Sequence, residues 1–409
     1  MKDKAQPKDH RALNDPKILR VCYSSLAGIC RKANLSHVKI LPSTREILSG
    51  KATLANVRDI SIEDLLGREK VQIDTDAISG FLAGKRVLVT GAAGSIGSHL
   101  CEQILKFKPE SLIALDQNET GIFHLERNLE KLFPGIKKYF IVADICDESK
   151  IDWIFGNHQP QIIFHAAAYK HVPVMETHPE EAAKNNIFGT LNLGQAAIKH
   201  GADKFVTIST DKAINPTSVM GASKRISELV CQYLNKKGQT KFCAVRFGNV
   251  LDSQGNVVGI FEEQIKRGGP VEITHPEMKR YFMITVEACL LVMQAGAIGK
   301  GGEVFVLDMG EPIKIVDLVK EMIRLSGYEQ DVDIPIVFTG MRPGEKLFEE
   351  MMLKEEIPTK NQKIFIAKLG GLKEEELIKS LENLRLAVNQ VNREQIINIF
   401  RELVPEYQK

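Results

Sequence analysis

A glycine-rich turn between an apolar strand and a helix is the feature that most constrains the fold of this chain. The strand-like run Val87-Leu88-Val89-Thr90 leads directly into Gly91-Ala92-Ala93-Gly94-Ser95-Ile96-Gly97, and helical spacing follows. Small residues at this spacing let the backbone approach a pyrophosphate, which the N-terminus of the following helix stabilises. Asp116 ends the next predicted strand, where a carboxylate suits a free ribose 2′-hydroxyl, and no Arg stands at 117 or 118. We therefore expect Gly91, Gly94, Ser95, Ile96, Gly97 and Asp116 to bind NAD and not NADP.

Strand and helix patterns alternate through the middle of the chain. Short apolar runs predict strands at 86–89, 112–115, 139–142, 161–164, 204–209 and 242–245. Helical patterns lie at 98–107, 120–132, 149–155 and 217–234, and one long helix is predicted up to about residue 200. Repeated βαβ units predict an α/β fold with a doubly wound parallel sheet of the Rossmann type.

Changes of pattern suggest three parts of the chain. Residues 1–80 read as an N-terminal extension, with a helical pattern at 17–33 and a short strand at 38–41. Residues 81–370 form the predicted NAD-binding domain, and the irregular, Gly- and Pro-containing region 249–370 is expected to form most of a substrate-binding cap. Residues 371–409 are expected to be a helical tail.

Composition excludes several classes of function. The 409 residues carry a formal net charge of +2, so nothing points to nucleic acid or to an anionic membrane surface. The seven cysteines are scattered without a Cys-x-x-Cys motif, which favours the reducing cytoplasm and no metal site. No apolar run reaches the about 18 residues that a bilayer span needs, and the charged residues 1–20 do not resemble a signal peptide.

Two further strand ends contribute to the predicted cofactor site. Asp144 and Ile145 follow the third strand, where they could meet the adenine, although Asp144 could equally cap the next helix. Ala166 and Ala167 end the fourth strand and leave room for the cofactor. The neighbouring His165 is more typical of a packed histidine than of a reactive one.

The fifth strand delivers the candidate catalytic tract, Thr210-Asp211-Lys212, to the carboxyl edge of the sheet. Met220 and Lys224 follow on one face of the next helix, where a short-chain dehydrogenase has Tyr-x-x-x-Lys. Methionine cannot move a proton, whereas Lys224 can still bind the nicotinamide ribose. Asp211 and Lys212 could form a mere surface ion pair, but their place facing the cofactor favours an acid–base pair. Opposite charges favour both charged forms, so burial has to oppose them if the pair is to work near neutral pH.

Several blocks of sequence carry a resemblance to a known family. They are Val87-Leu88-Val89-Thr90-Gly91, His165-Ala166-Ala167-Ala168-Tyr169-Lys170-His171-Val172-Pro173, Ser209-Thr210-Asp211-Lys212-Ala213, Arg246-Phe247-Gly248-Asn249-Val250-Leu251, Thr274-His275-Pro276-Glu277-Met278, Arg280-Tyr281-Phe282-Met283 and Arg342-Pro343-Gly344-Glu345-Lys346-Leu347. Over about residues 41–352 the chain resembles the nucleotide-sugar 4,6-dehydratases of the extended short-chain dehydrogenase superfamily. Met220 makes it similar to their configuration-retaining UDP-N-acetylglucosamine branch, because the inverting branch keeps Tyr.

Members of this branch usually carry N-terminal membrane helices and a further nucleotide-binding-like domain. This chain lacks the helices, and residues 17–41 look like the tail of that domain. The resemblance therefore leaves two possibilities open, a naturally soluble form and a truncated one.

The resemblance implies a reaction and roles for the tract. The reaction is NAD-dependent conversion of UDP-N-acetylglucosamine to UDP-2-acetamido-2,6-dideoxy-α-D-xylo-hexos-4-ulose in bacterial surface polysaccharide or glycan biosynthesis. Hydride leaves C4, water is eliminated across C5–C6, and hydride returns to C6. Lys212 would be the C5 base, Asp211 the acid for the C6 hydroxyl and Thr210 a hydrogen-bond partner of the C4 hydroxyl, while Met220 fills the Tyr site. The group that deprotonates the C4 hydroxyl stays open among Asp211, Lys212 and a water.

The same resemblance suggests substrate contacts and an assembly. Asn249, Arg280 and Arg342 are candidates for the UDP moiety, and either Arg could instead be structural. His171 and Glu176 could face the sugar or stabilise their loop. Helices at 180–200 and 217–234 resemble the dimer-forming pair of the superfamily, so we expect a homodimer or a higher oligomer.

Two other functions compete with this one. An inverting dehydratase/5-epimerase or an epimerase acting on a UDP-sugar would normally use Tyr, so Met220 argues against both. A non-catalytic NAD-binding sensor would explain the loss of Tyr. Against it stands the presence of Thr210, Asp211, Lys212 and Lys224 together.

Overall fold

The computed structural model describes residues 39–40, 58–59, 72–251, 253, 255–351, 356–370 and 373–407. The chain forms two compact units, of which the larger comprises Gln72–Asn256, Lys279–Pro312 and Met341–Lys409. The helical pattern predicted at 17–33 lies outside the described residues. The strand predicted at 38–41 is present as Lys39–Ile40 and pairs with Arg58–Asp59. The division of the chain into extension, domain, cap and tail stays a prediction.

The larger unit is built on a nine-stranded sheet. Its strands are β1 (Arg86–Thr90), β2 (Ser111–Asp116), β3 (Lys137–Val142), β4 (Ile162–His165), β5 (Lys204–Ile208), β6 (Lys241–Arg246), β7 (Val304–Leu307), β8 (Ile357–Pro358) and β9 (Ile364–Ile366). Their order across the sheet is β8-β9-β7-β6-β5-β4-β1-β2-β3. The seven strands from β7 to β3 are parallel. At one edge β9 pairs antiparallel with β7, and β8 pairs antiparallel with β9. The order reverses between β1 and β4, as in a doubly wound fold.

Helices precede, connect and follow these strands. They are α1 (Thr75–Leu82), α2 (Ser95–Lys106), α3 (Glu119–Leu132), α4 (Glu148–His158), α5 (Val172–Thr177), α6 (Pro179–Ala182), α7 (Gly189–Lys199), α8 (Val219–Leu234), α9 (Thr285–Ile298), α10 (Glu374–Asn389) and α11 (Arg393–Leu403). The central strands are almost wholly buried, because helices cover both faces of a parallel sheet. The predicted Rossmann-type α/β fold class is confirmed. None of the helices in the described ranges is long and apolar enough to cross a bilayer.

The single long helix predicted up to residue 200 is wrong in its continuity. The structure divides this stretch into α5, α6, a π-helical turn at Ala183–Phe188, and α7. Pro179 explains the first break, because its ring clashes with a preceding helical turn and its nitrogen has no hydrogen to donate. In the π turn, the carbonyl of Asn186 accepts hydrogen bonds from Thr190 Oγ1 at 2.6 Å and Ser227 Oγ at 2.5 Å. This wider turn therefore attaches the segment to α8.

The C-terminal helices α10 and α11 complete the core around α8. Their apolar faces, including Leu384 and Phe400, belong to the same buried cluster as Val219 and Ile226 of α8. They also pack on α6 and on the π turn. The helix pair predicted to form a dimer interface is thus covered in part by the chain itself, and the homodimer stays a prediction.

The smaller unit comprises Met1–Val71, Val257–Met278 and Ile313–Gly340. Its described elements include the helices Val257–Lys266 and Ile315–Leu325 and a parallel pair formed by Val271–Ile273 and Ile336–Phe338.

Candidate active site

The glycine turn after β1 has the close backbone approach that its sequence predicts. Gly91 has φ +67°, and a Cβ atom there would lie 2.5 Å from the backbone nitrogen of Ala167. A Cβ at Gly97 would lie 1.9 Å from the carbonyl oxygen of Gly91. Helix α2 then begins at Ser95 after Gly94, which has no side chain to cap it. Free N–H groups at such a helix start can bind a phosphate.

A crevice opens at this turn along the carboxyl ends of β1, β2 and β4. Its lining residues are Gly91, Gly94, Leu115, Asp116, Gln117, Ala143, Asp144, Ile145, Ala166, Ala167, Ala168, Tyr169 and Asn185. The empty space in the crevice, about 500 Å³, includes volume that is open to solvent. Most residues predicted for the cofactor line it, while Ser95, Ile96 and Gly97 form the first turn of α2. Single-sequence reasoning missed Gln117, Tyr169 and Asn185.

The carboxylates in this crevice are fixed by backbone groups. Oδ2 of Asp116 accepts a hydrogen bond from the Ala93 N–H at 3.0 Å, and Oδ1 accepts one from the Asn118 N–H at 2.9 Å. Asp116 is therefore held at the end of β2, where a ribose would lie. Asp144 accepts from the Cys146 N–H, and it is Asp147 that caps α4. The crevice thus fits a dinucleotide without a 2′-phosphate.

His165 is a structural residue. Its Nδ1 lies 2.8 Å from Thr90 Oγ1, and its Nε2 lies 2.9 Å from Thr190 Oγ1. Burial, together with the positive charge of Lys224, lowers the pKa of His165 to about 3. The ring is therefore neutral at physiological pH and ties β4 to β1 and α7.

The candidate catalytic tract lies in a one-turn 3₁₀ helix directly after β5. Asp211 is fully buried, and its Oδ1 accepts hydrogen bonds from Thr210 Oγ1 at 2.8 Å and from Lys212 Nζ at 3.0 Å. Its Oδ2 is buried and has no hydrogen-bond partner among the described residues. A buried carboxylate oxygen without a partner is costly, and a bound ligand or an ordered water can supply the missing contact.

Lys212 lies between two carboxylates. Its Nζ is 3.0 Å from Asp211 Oδ1, 3.6 Å from Glu349 Oε1 and 3.4 Å from Asn249 Oδ1. Burial alone would lower the pKa of Lys212, but the charges of Asp211 and Glu349 outweigh it and hold the pKa above its ordinary value. Lys212 is therefore an ammonium in the resting protein.

Helix α8 brings Met220 and Lys224 to the tract. A Cβ atom at Gly221 would lie 2.2 Å from the carbonyl oxygen of Lys212, so glycine permits this approach. Met220 is 4% exposed, and Lys224 is 5% exposed. Desolvation lowers the pKa of Lys224 to about 8. Across the described ranges its ammonium has no hydrogen-bond or ion-pair partner, which suits a residue that waits for a ligand hydroxyl.

The predicted substrate residues lie in three different environments. Asn249 and Arg280 belong to the surroundings of Lys212, and the guanidinium of Arg280 donates to the carbonyls of Lys279, Lys346 and Leu347. Arg342 and His171 are exposed. Glu176 Oε1 accepts from the Val219 N–H at 2.7 Å, at the start of α8. The contacts of these residues with a substrate stay predictions.

Two buried glutamates were missed at the sequence level. Glu349 is 7% exposed and contacts Lys212, although in the sequence it looks no different from its exposed neighbour Glu350. Glu228 of α8 binds Arg246 through two hydrogen bonds of 2.7 and 2.6 Å and accepts one from Ser209 Oγ at 2.6 Å. This second network fixes α8 against β5 and β6. Spacing within one element reveals neither contact, because the partners are far apart in sequence.

Comparison with known proteins adds the family context. Residues 87–369 match the family model described as "Polysaccharide biosynthesis protein". The chain is 50% identical over 340 residues to the probable polysaccharide biosynthesis protein EpsC of Bacillus subtilis (strain 168), covering 83% of this chain and 56% of that protein. It is 47% identical over 388 residues to the capsular polysaccharide biosynthesis protein CapD of Staphylococcus aureus, covering 94% and 64%. The chain thus spans less than two thirds of either relative.

A solved structure shows the same fold. The X-ray structure of Pen from Bacillus thuringiensis superposes with a TM-score of 0.64 at 33% identity, over 72% of this chain and 90% of that one.

Proposed function

The chain belongs to the polysaccharide biosynthesis protein family, and we propose that it is a nucleotide-sugar 4,6-dehydratase that uses NAD and acts on UDP-N-acetylglucosamine with retention at C5. One observation carries the proposal. A buried carboxylate, Asp211, binds both Thr210 and Lys212 at the end of β5, and its second oxygen has no hydrogen-bond partner among the residues that the structure describes. An acid, a base and a hydroxyl thus lie together in a site where Met220, unlike a tyrosine, cannot carry a proton.

The crevice and Lys224 support the choice of cofactor. When bound, NAD supplies a hydride acceptor for C4 of the sugar and a donor for C6. The turn at Gly91 and the start of α2 would hold the pyrophosphate, and Asp116 would accept hydrogen bonds from the adenosine ribose. Lys224 would donate to the nicotinamide ribose with its ammonium.

The catalytic tract can serve both halves of the elimination. Oxidation at C4 acidifies the C5 proton, which Lys212 would take, and Asp211 would protonate the departing C6 hydroxyl to form water. For these roles Lys212 has to be a neutral amine and Asp211 a carboxylic acid. The ion pair between them disfavours both forms. Transfer of one proton along the 3.0 Å hydrogen bond from Lys212 to Asp211 produces both forms together. Burial of the pair favours this neutral state more than water would.

Thr210 completes the tract. Its hydroxyl donates to Asp211 at 2.8 Å and can accept a hydrogen bond from the C4 hydroxyl of the sugar. The C4 proton can pass through Thr210 to Asp211, to Lys212 or to a water. If Asp211 or Lys212 takes it, both groups are protonated, and Lys212 has to release one proton to solvent before it can take the C5 proton. Met220 would fill the remaining volume next to the tract and exclude water.

The proposal extends to the compartment and the assembly. Cys101, Cys146, Cys231, Cys243 and Cys289 are all free thiols, which favours the reducing cytoplasm. A homodimer or higher oligomer would form through a surface other than the covered face of α8.

The test is to incubate the purified chain with NAD and a panel of UDP-sugars and to analyse the products by mass spectrometry. The proposal expects UDP-N-acetylglucosamine to lose one water and to form a 4-keto product. Conversion to an isomer of unchanged mass would instead indicate an epimerase. Bound NAD with no conversion of any UDP-sugar would favour the sensor.

A further inference from the structure

Glu349 enters the catalytic tract from the segment that follows the Arg342–Leu347 block. Its side chain is 3% exposed, and Oε1 lies 3.6 Å from Lys212 Nζ and 3.7 Å from Arg280 Nε. Its Oε2 is buried without a hydrogen-bond partner among the described residues. A carboxylate of this kind is costly to bury unless cations compensate it, and both compensating cations belong to the candidate site.

Arg280 holds the Glu349 segment in place. Its Nη1 and Nη2 donate to the carbonyls of Leu347 at 3.2 Å and Lys346 at 2.8 Å, just before Glu349 in the chain. Lys346 Nζ in turn donates to the carbonyl of Ile214 at 2.9 Å, next to the 3₁₀ turn of Asp211. The segment is therefore held by Arg280 and by the contact of Lys346 with Ile214, so Glu349 has little freedom to move.

We propose that Glu349 is a positioning residue that fixes the place and the charge of the Lys212 ammonium through a direct ion pair. The inference rests on the function proposed above only for its catalytic consequence. The ammonium of Lys212 lies at the end of a flexible side chain, and Asp211 holds only one side of it. Glu349 supplies the second side, and Arg280 orients the Glu349 carboxylate through a 3.7 Å ion pair.

The charges around Lys212 set the direction of the expected effect. Among the described residues, the ionisable groups that face its ammonium are Asp211, Glu349 and Arg280, and Tyr281 in turn faces Asp211. Replacing Glu349 by Gln keeps the shape but removes one of two carboxylates, so the pKa of Lys212 falls. At a separation near 3.6 Å the loss is expected to move the titration of Lys212 to lower pH by about one unit or more.

The experiment measures Lys212 directly and needs no sugar. The reactivity of Lys212 towards acetic anhydride is followed against pH by peptide mass spectrometry, in wild-type protein and in Glu349→Gln. The matched control is Glu350→Gln, because Glu350 is the exposed neighbour that binds Lys346 at 3.2 Å and Asn215 at 2.7 Å. Reactivity is expected to begin at lower pH in Glu349→Gln and at the wild-type pH in Glu350→Gln.

The pH profile of turnover is the second readout. If Lys212 is the C5 base, the rising limb of kcat moves to lower pH in Glu349→Gln by the same amount as the labelling onset. If Glu349→Gln does not fold, Glu349→Asp takes its place, because it keeps the charge but moves the carboxylate away from Lys212 by one methylene. The pH at which labelling of Lys212 begins should then also fall, but by less.

The outcomes separate this inference from the proposed function. An onset that is the same in wild-type protein and in the Glu349 variants overturns the role of Glu349. A shifted onset in a protein that converts no UDP-sugar supports Glu349 and rejects the dehydratase.

Discussion

The ammonium of Lys212 lies 3.0 Å from Oδ1 of Asp211, and the other oxygen of that carboxylate is buried without a hydrogen-bond partner in the described part of the chain. The hydrogen bond links a potential base to a potential acid, so one proton transfer activates both. Because both residues follow the same strand, the pair needs no loop closure to form.

Replacing Asp211 by Asn removes the acid while nearly preserving the shape of the side chain. We expect turnover to fall by about 10²–10⁴-fold, the usual contribution of a positioned proton donor. NAD affinity should be unchanged, since Asp211 does not line the crevice at Gly91. Calorimetric titration with NAD and initial rates check the two parts. Asp203→Asn, at an exposed carboxylate paired with Lys85, is the control that should keep full activity.

Met220 is expected to fill space and to move no proton. Leucine has nearly the same volume and is normally tolerated in a packed core. Initial rates of Met220→Leu should therefore stay within a few-fold of wild type. A loss of a hundredfold or more would mean that the thioether takes a direct part.

The two lysines of the site should respond oppositely to replacement by Met in the cofactor-free protein. The pKa of Lys224 is lowered to about 8, so the native state binds fewer protons than the unfolded chain between about pH 8 and 10.5. Its burial therefore costs most below about pH 8, and the cost declines as the pH rises through this window. Lys224→Met should raise the free energy of unfolding at pH 7 by about 1–3 kcal/mol.

Lys212→Met is the matched comparison. It leaves Asp211 and Glu349 buried without their shared cation, so the free energy of unfolding should fall by about 3 kcal/mol. Urea denaturation at pH 7 measures both variants. Equal effects of the same sign would contradict the electrostatic distinction between the two sites.

The C-terminal helices are predicted to stabilise the larger unit through α11. Phe400 is fully buried in the cluster that contains α8, and Phe400→Ala should lower the free energy of unfolding by about 3–5 kcal/mol. Leu386 of α10 is 59% exposed, and Leu386→Ala should change it by less than about 0.5 kcal/mol. Thermal or urea unfolding of the pair checks this. Similar values for both would contradict the packing of α11 on α8.

The sheet and the cofactor crevice could be predicted because their determinants are local. The glycine at 91, the apolar runs and Asp116 each stand at a fixed offset from a strand end, and parallel strands bring their carboxyl ends to one edge. The pairing of Asp211 with Lys212 is also local, so their neighbourhood was foreseeable. The features that the sequence did not predict depend on contacts between residues that are far apart in the chain.

Glu349 illustrates the limit. Its role depends on Arg280 and Lys212, which lie in other segments, and the chain offers two adjacent glutamates of which only one is buried. The π turn at Ala183–Phe188 has a similar origin, since its shape depends on Ser227 of α8. Likewise, α10 and α11 have recognisable apolar faces, but a pattern does not name the surface that a helix covers.

The most direct test of the account is to incubate the purified chain with UDP-N-acetylglucosamine and NAD in deuterated water and to record the proton NMR spectrum. The account predicts a new C6 methyl signal, a 4-keto sugar, deuterium at C5 and retained configuration there. Inverted configuration at C5 would contradict the arrangement of acid and base proposed for Lys212 and Asp211. An unchanged spectrum with NAD bound would contradict the proposed reaction itself.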